Sequence, residues 1–191
     1  MKFLKKIGTI ILTGVMAFQS ITCVGAYDKG PFLKDSYTFY DDDYVSKLLL
    51  VSDDFKESYY LFKNLKTVSS KISGASYNVK KNTLTLKNVK KDNLILQVFS
   101  MGDDFKVNVK GTCKLQGIEV FADCYGASVS ITGSGRLTLN SDKELDYAIT
   151  TWGYNQFSPK VSFGKKVTVT AYGRLKAIGC LAMKDKNLTD A

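Results

Sequence analysis

The sequence contains no histidine, and only two of its 191 residues are arginines, Arg136 and Arg174. The absence of histidine excludes any mechanism or metal site that depends on an imidazole, including a catalytic triad with a histidine base. The cysteine spacings match no zinc-binding pattern. Phosphate-binding loops, dinucleotide fingerprints and nucleophile elbows are also missing. Several common enzyme classes are therefore excluded.

Positive charge is present in excess, because 27 lysine and arginine residues stand against 18 acidic residues and give a formal charge of +9. Almost all of this positive charge is lysine. With 45% hydrophobic and 24% charged residues, the composition is typical of a folded domain with a core. A lysine-rich protein attracts polyanions, although the same charge also serves solubility alone.

Residues 1–26 have the pattern of a secretory signal peptide. Three lysines precede an apolar run over 7–18, and Val24 and Ala26 stand before the expected cut. The run is too short to span a bilayer as a helix. Cleavage would remove three lysines and no acidic residue, leaving 24 basic against 18 acidic residues, or +6. We therefore expect an extracellular, secreted protein without stable membrane insertion; the alternative is an uncleaved membrane anchor.

Cys23 belongs to the predicted signal peptide, which leaves three cysteines in the rest of the chain. An odd number of cysteines cannot all pair within one chain. One alternative is a disulfide between Cys113 and Cys124, with Cys180 free. The other, which we expect, is that all three are buried as small apolar residues.

From residue 76 onward, apolar and polar residues alternate in short runs that are separated by Gly, Asn, Asp and Ser. A period of two is typical of β-strands rather than of helices. Strand–turn–strand segments recur at Leu84, Val107, Val129 and Val161, so that two steps of nearly equal length precede a longer one. A regular repeat with one expansion predicts a solenoid whose coils stack.

The pattern predicts an all-β protein, namely a short right-handed three-sided parallel β-helix in which neighbouring coils pair through backbone hydrogen bonds. The third strand of each coil is expected around Ile118, Ile149 and Ile178, and the expansion as loops within residues 140–160. The alternative is an antiparallel β-sandwich, which also has short strands and regularly spaced turns.

This interpretation divides the chain into a signal peptide over 1–26, an N-terminal α/β cap over 27–75, a β-solenoid over 76–183 and a polar tail over 184–191. In the cap, three consecutive aspartates predict a short helix over 44–51, and residues 59–62 and 72–79 resemble strands. A cap is expected because an open solenoid end exposes core and unpaired backbone. The tail is a thin cover, which predicts that the last coil is exposed or pairs with another chain.

Three segments carry a resemblance to a known family: SYNVKKNTLTLKNV (76–89), VNVKGT (107–112) and ITGSGRLTL (131–139). They resemble secreted Firmicute proteins described as carbohydrate-binding domain proteins. The resemblance covers residues 76–180 and implies a β-helix related in shape to pectin-binding proteins. It also implies an extracellular, non-catalytic role in glycan binding. The cysteines at 113 and 124 depart from the family pattern, where polar or aliphatic residues are usual.

Aromatic residues are concentrated in the expanded coil, among them the only tryptophan. A flat ring can cover the apolar face of a sugar while its polar edge reaches hydroxyl groups. Lysines recur at outward strand positions, where they can meet acidic groups as point charges: Lys106, Lys110, Lys114, Lys160, Lys165 and Lys166. The candidate ligand-binding residues are Trp152, Tyr154, Tyr147, Tyr125, Arg136, Lys106 and Lys160. The alternatives are aromatic residues that fill core under a loop and a charged edge that discourages aggregation.

Acidic residues next to turns offer the oxygen ligands that Ca²⁺ prefers. Asp103, Asp104 and Asp123 are the candidate ligands, with calcium bridging the protein and an acidic glycan. No segment matches the EF-hand loop. We favour the alternative that these aspartates cap turns, and we expect no other cofactor.

The sequence thus predicts a secreted, non-catalytic carbohydrate-binding module for an acidic or plant-type polysaccharide, with no nucleic-acid partner. The first alternative is a structural or adhesive cell-surface solenoid that self-associates end to end or through an edge. The second is a polysaccharide lyase-like enzyme, because parallel β-helices include such enzymes. No motif brings lysine, arginine and aspartate together, however, and the chain is short for a catalytic β-helix.

Overall fold

A computed structural model describes residues 8–12, 20–22, 46–52, 54–63, 66–67, 72–99, 101–122, 127–154 and 159–183. These residues form an all-β protein, and a 3-10 turn at Val79–Lys81 is the one helical element among them. The strands are β1 (Gly8–Leu12), β2 (Ser20–Thr22), β3 (Lys47–Ser52), β4 (Ser58–Lys63), β5 (Lys66–Thr67), β6 (Ala75–Asn78), β7 (Thr83–Lys87), β8 (Lys90–Phe99), β9 (Gly102–Lys110), β10 (Thr112–Ala122), β11 (Ala127–Gly133), β12 (Arg136–Leu139), β13 (Tyr147–Tyr154), β14 (Lys160–Phe163), β15 (Thr168–Gly173) and β16 (Lys176–Met183). They form a ten-stranded and a six-stranded sheet, each with parallel and antiparallel pairs.

Three parallel ladders contain the strands from β7 onward. The first ladder pairs β7, β9, β11 and β14. The second pairs the start of β8 and the first half of β10 with β12 and β15. The third pairs β8, the second half of β10, β13 and β16. The chain returns to the first ladder each time it leaves the third, so each new strand is added beside its predecessor.

Strand register sets the length of each repeat. Leu84 lies opposite Val107, and Val129 lies opposite Val161, which confirms the first and the last of the predicted steps. The middle step is wrong by two residues, because Val107 lies opposite Ile131 rather than Val129. Residues 129 and 131 are both buried. A shift of two residues keeps the same side chains on the core face, so the apolar pattern does not distinguish the two registers.

Strands are present around each of the three isoleucines where the sequence predicts them. Ile118, Ile149 and Ile178 lie opposite one another across β10, β13 and β16. Residues 140–146 form the connection between β12 and β13, within the predicted expansion. The other part of that expansion, residues 155–158, lies outside the described residues.

One buried cluster joins the three ladders. It extends from Leu48 in β3 to Ala177 in β16 and is almost wholly aliphatic. The strands alternate, as in β15, where Val169 and Ala171 are buried between half-exposed neighbours. Because alternate residues of a strand point to opposite faces, this pattern supplies core to one face and polar groups to the other.

Cys113 is part of this core. It is buried and free, and its thiol lies 3.5 Å from the carbonyl oxygen of Leu86. The expectation of a small buried residue is therefore confirmed for Cys113, and a Cys113–Cys124 disulfide is wrong. Cys124 and the side chain of Cys180 lie outside the described residues.

Strand β3 corrects the predicted helix over residues 44–51. Leu48 and Leu50 are buried in the main core, whereas Leu49 and Val51 are buried in a second cluster. An apolar run between two layers is best satisfied by a strand, which directs alternate residues to each layer. Where the structure describes the predicted α/β cap, it contains strands and no helix. β3, β4 and β5 extend the third ladder in antiparallel fashion.

The two strands predicted over residues 59–62 and 72–79 are present in whole or in part. The expected strand over residues 59–62 lies within β4, and β6 covers part of the expected strand over 72–79. Residues 27–45 and the predicted polar tail over 184–191 lie outside the described residues.

Two strands fall within the predicted signal peptide. β1 pairs antiparallel with β15, and β2 pairs antiparallel with β14. Both occupy the outer edge of the last strand of a ladder. None of the helical segments that the structure describes is long and apolar enough to cross a membrane.

Asparagines in the left-handed conformation turn the chain between strands. Asn82, Asn88 and Asn140 have φ angles of 44°, 54° and 52°, a region that asparagine tolerates better than most residues. The amide of Asn140 donates to the carbonyls of Leu145 (2.9 Å) and Tyr172 (2.5 Å). Its oxygen accepts from the Leu145 N–H at 3.0 Å. One buried side chain therefore joins the 140–146 turn to β15.

Asn140→Ala should lower the free energy of unfolding by about 2–4 kcal/mol, because it leaves three partly buried backbone groups without partners. Chemical denaturation of the variant and of the wild type measures the difference. Asn93→Ala is the control, since Asn93 is exposed and its loss should cost less than about 0.5 kcal/mol. Equal stability of the two variants would show that the turn does not depend on the Asn140 amide.

Candidate functional site

Six basic residues gather where the first ladder meets the second. Lys87 at the end of β7 lies opposite Lys110 at the end of β9, and Lys90 of β8 lies opposite Lys114 of β10. Arg136 begins the next strand of the second ladder. Four of the six are exposed and two are half-buried. We call this group the basic corner: Lys87, Lys90, Lys91, Lys110, Lys114 and Arg136.

Backbone hydrogen bonds stack the turns that carry these side chains. The Asn88 N–H donates to the carbonyl of Lys110 at 3.1 Å, and the Asn88 amide oxygen accepts from the Thr112 N–H at 3.1 Å. One turn further on, the Arg136 N–H donates to the carbonyl of Gly111 at 2.7 Å. The positions of the cations therefore follow from the backbone and from the Asn88 amide, rather than from contacts between the basic side chains.

An open cleft of about 620 Å³ lies at the basic corner, lined by Lys87, Lys90, Lys91, Asn88, Val89 and residues 72–74. The carbonyl of Gly74 accepts from the Lys87 N–H at 2.8 Å. Gly74 has a φ of 86°, and a side chain there would collide with the Lys87 carbonyl. Glycine thus allows the close approach that forms this wall of the cleft.

No salt bridge to another described residue neutralises the positive charges of the basic corner. Between described residues, the salt bridges are Lys56–Asp54 at 2.8 Å and Arg174–Asp146 at 2.6 Å. Asp92 is the acidic residue nearest to the corner in sequence, and it is exposed. Like charges on directly opposed strand positions destabilise a sheet, so the basic corner costs stability and remains available to an anion.

The structure separates the predicted cationic site residues. Arg136 belongs to the basic corner, whereas Lys106 lies within the first ladder between Thr83 and Ser130. Lys160 lies on the same ladder, two strands further along. Lys106 and Lys160 are exposed, but the strand register does not bring either one to the basic corner.

Trp152 lies in a row of aromatic rings on the third ladder, which we call the aromatic stack: Phe99, Phe121 and Trp152. The Phe99 and Phe121 ring centroids are 4.3 Å apart with planes at 3°, and the Phe121 and Trp152 centroids are 6.0 Å apart with planes at 1°. A sugar between two rings would need roughly 7–8 Å, twice the carbon–carbon contact distance. The ring faces inside the stack are therefore closed to a sugar.

The surroundings of Trp152 favour packing over sugar binding. The residue is half-buried, and its indole N–H is buried without a partner among the described residues. Tyr147 is on the same strand, but its ring packs against Gly179. The side chain of Tyr154 and the whole of Tyr125 lie outside the described residues. The predicted aromatic platform is therefore not assembled by the residues that are described.

Asp104 is the one candidate metal ligand whose side chain is described, and it binds an amide. Its carboxylate accepts from the Asn82 side-chain amide at 2.6 Å, and the Asn82 oxygen accepts from the Tyr77 hydroxyl at 2.8 Å. Burial, and then the charge of Asp104, raise the pKa of Tyr77. No group of three metal-ligating residues occurs in the described part of the chain; the Asp103 side chain and Asp123 lie outside it. The contact described for Asp104 is thus a side-chain hydrogen bond to Asn82, which shows neither calcium binding nor turn capping.

Sequence analysis missed the lysines at 87, 90 and 91 as site residues. A signal exists, because KNVKK (87–91) and KGTCK (110–114) both place basic residues on the two sides of a turn. The lysines of the two segments become neighbours only through the strand register, which places one segment beside the other.

The chain was compared with protein-family models, with curated proteins and with solved structures, and none of these comparisons gave a match. The chemistry and geometry of the basic corner are accordingly the basis on which a function is proposed.

Trp152→Ala should lower the free energy of unfolding by about 2–3 kcal/mol, because it removes a large ring from the aromatic stack. Trp152→Phe keeps a stacked ring and should cost less than about 1.5 kcal/mol. Urea denaturation followed by circular dichroism measures both, since fluorescence is lost with the only tryptophan. An alanine variant as stable as the wild type would contradict the packing role.

Proposed function

We propose that the chain folds as a short, right-handed, three-sided parallel β-helix. Support comes from the three parallel ladders, which the chain visits in a constant order, and from the single core that they share. An antiparallel sandwich accounts for the pairing of β3 with β4 and of β6 with β7, but not for the ladders. In this proposal, each turn at the basic corner belongs to a successive coil.

On this scaffold, we infer that the basic corner binds an acidic polysaccharide. The observation that carries the inference is the row of opposed lysines, Lys87 with Lys110 and Lys90 with Lys114. Neighbouring strands are about 4.8 Å apart. An extended polymer with an acidic group on each sugar can therefore meet successive cations while it lies along the row, and the cleft beside the row holds a neighbouring sugar.

The residue types at the corner fit a uronate polymer better than a nucleic acid. Lysine supplies five of the six cations, and it acts as a point charge rather than as the planar fork with which arginine recognises phosphate. Single-stranded nucleic acids are usually held by aromatic rings that stack on bases. The residues that line the cleft include none; they offer the amide of Asn88 and the aliphatic side chains of Ile72 and Val89.

We propose a non-catalytic role in the extracellular space. A hydrolase needs two carboxylates at a defined separation, and the cleft is lined by lysines, an amide, a serine, a glycine and aliphatic residues. Secretion is inferred from the signal-peptide pattern of residues 1–26. Incubation with polygalacturonate and Ca²⁺ should release no unsaturated uronate product; an increase in its absorbance would favour the lyase alternative.

The double variant Lys90→Gln/Lys114→Gln should bind polygalacturonate about tenfold more weakly, which corresponds to about 1.4 kcal/mol. Isothermal titration at low salt measures the affinity, and raised salt should weaken wild-type binding more than variant binding because fewer charges remain to be screened. The matched control is Lys80→Gln/Lys81→Gln, which removes the same charge from exposed positions at the 3-10 turn. Equal losses in the two double variants would contradict a localised site.

The same substitution should leave the fold intact or stabilise it by up to about 0.5 kcal/mol, because it relieves repulsion between opposed lysines. Denaturation of Lys90→Gln/Lys114→Gln therefore separates weaker binding from unfolding. Unchanged affinity for polygalacturonate in this folded variant would overturn the proposed site.

A further inference from the structure

The last strands of two ladders are covered by the N-terminal part of the chain. β1 runs antiparallel to β15 from the pair Gly8–Gly173 to the pair Leu12–Val169. β2 runs antiparallel to β14, with Ser20 opposite Ser162. All pairs among β7 to β16 are parallel. The two N-terminal strands therefore end the ladders with a reversed strand direction.

Both covering strands belong to the predicted signal peptide. Its removal uncovers the outer edges of β14 and β15, which carry core residues: Val161 is 1% exposed, Val169 1% and Ala171 4% in the covered state. A strand edge with unpaired backbone groups and apolar residues behind it is a template for pairing with another strand. The processed chain therefore lacks a cover where the full chain has one.

We propose that, after residues 1–26 are removed, a second copy of the chain covers this end, with β15 pairing antiparallel with β15 of its partner. A two-fold axis that relates two copies of one strand edge makes their pairing antiparallel. The edge of β15 already accepts an antiparallel strand along five of its six residues. In head-to-tail stacking, each added copy would instead expose a new open edge at the end of the assembly, and filaments would form.

The backbone groups of β15 that face this edge can be identified. The Thr168 N–H donates to the Gly135 carbonyl at 3.0 Å, and the Tyr172 carbonyl accepts from the Asn140 amide. Both groups point toward the preceding turn of the chain. Because backbone groups alternate in direction along a strand, those of Ala171 face the outer edge. Proline at 171 would remove an edge donor while the β12–β15 pairing stays intact.

The first experiment uses the protein that a bacterial host secretes from the full chain. Mass spectrometry of the intact protein locates its N-terminus, and sedimentation velocity over a hundredfold range of concentration gives its mass. We expect a chain that begins near residue 27 and a mass that doubles with concentration. A retained N-terminal segment, a processed chain that stays monomeric, or a mass that grows without limit would each overturn the closed dimer.

The second experiment compares variants of β15. Ala171→Pro and Thr170→Lys should each weaken dimerisation at least tenfold, the lysine because it meets its own copy near the two-fold axis. Asn93→Lys adds the same charge at an exposed position of β8, which is separated from β15 by β12 and β10, and it should dimerise like the wild type. Circular dichroism establishes whether each variant is folded. If the proline variant does not fold, the Thr170→Lys variant alone tests the proposed dimer. A folded Thr170→Lys variant that dimerises normally would overturn the proposal, whatever the result for polygalacturonate.

Discussion

The parallel, in-register pairing of successive strands is the constraint on which the rest of this structure depends. Such pairing stacks equivalent positions, so that each feature of one strand is repeated on the next. Ile118, Ile149 and Ile178 stack into core, and Phe121 stacks on Trp152 outside it. The basic corner arises in the same way. A row of like charges is therefore a consequence of the rule that also builds the core.

The stacking of equivalent residues stabilises the core and destabilises the basic corner. Stacked aliphatic residues gain from burial, whereas stacked lysines repel one another across about 4.8 Å. The main cluster supplies the apolar burial that stabilises the ladders on which the basic corner lies. A region that costs stability and yet is held rigidly by the backbone is the kind of place where binding is expected.

The ends of the ladders are a second region of this kind, because the last strand of a parallel ladder has an edge at which a further strand can pair. β3 and β1 supply antiparallel strands at the two ends.

Much of the fold was predictable from the alternation of residues. Alternation locates most strands from residue 76 onward, and the spacing of Ile118, Ile149 and Ile178 predicts that they share a row. The register at Val107 was not predictable to better than two residues, since a shift by two preserves the buried face. The helix expected over 44–51 failed because local acidic residues were outweighed by burial on both faces of β3.

The candidate site was less predictable than the fold. Sequence alone determined the excess of lysine, the lack of histidine and the period-two pattern, and these restrict the protein to an all-β chain that attracts anions. Only the tertiary structure decided which lysines lie side by side, because residues far apart in the chain become neighbours through strand pairing, which no local pattern specifies. It also stacked Trp152 on Phe121 and Phe121 on Phe99, a contact that depends on two other strands and that the sequence around Trp152 does not specify.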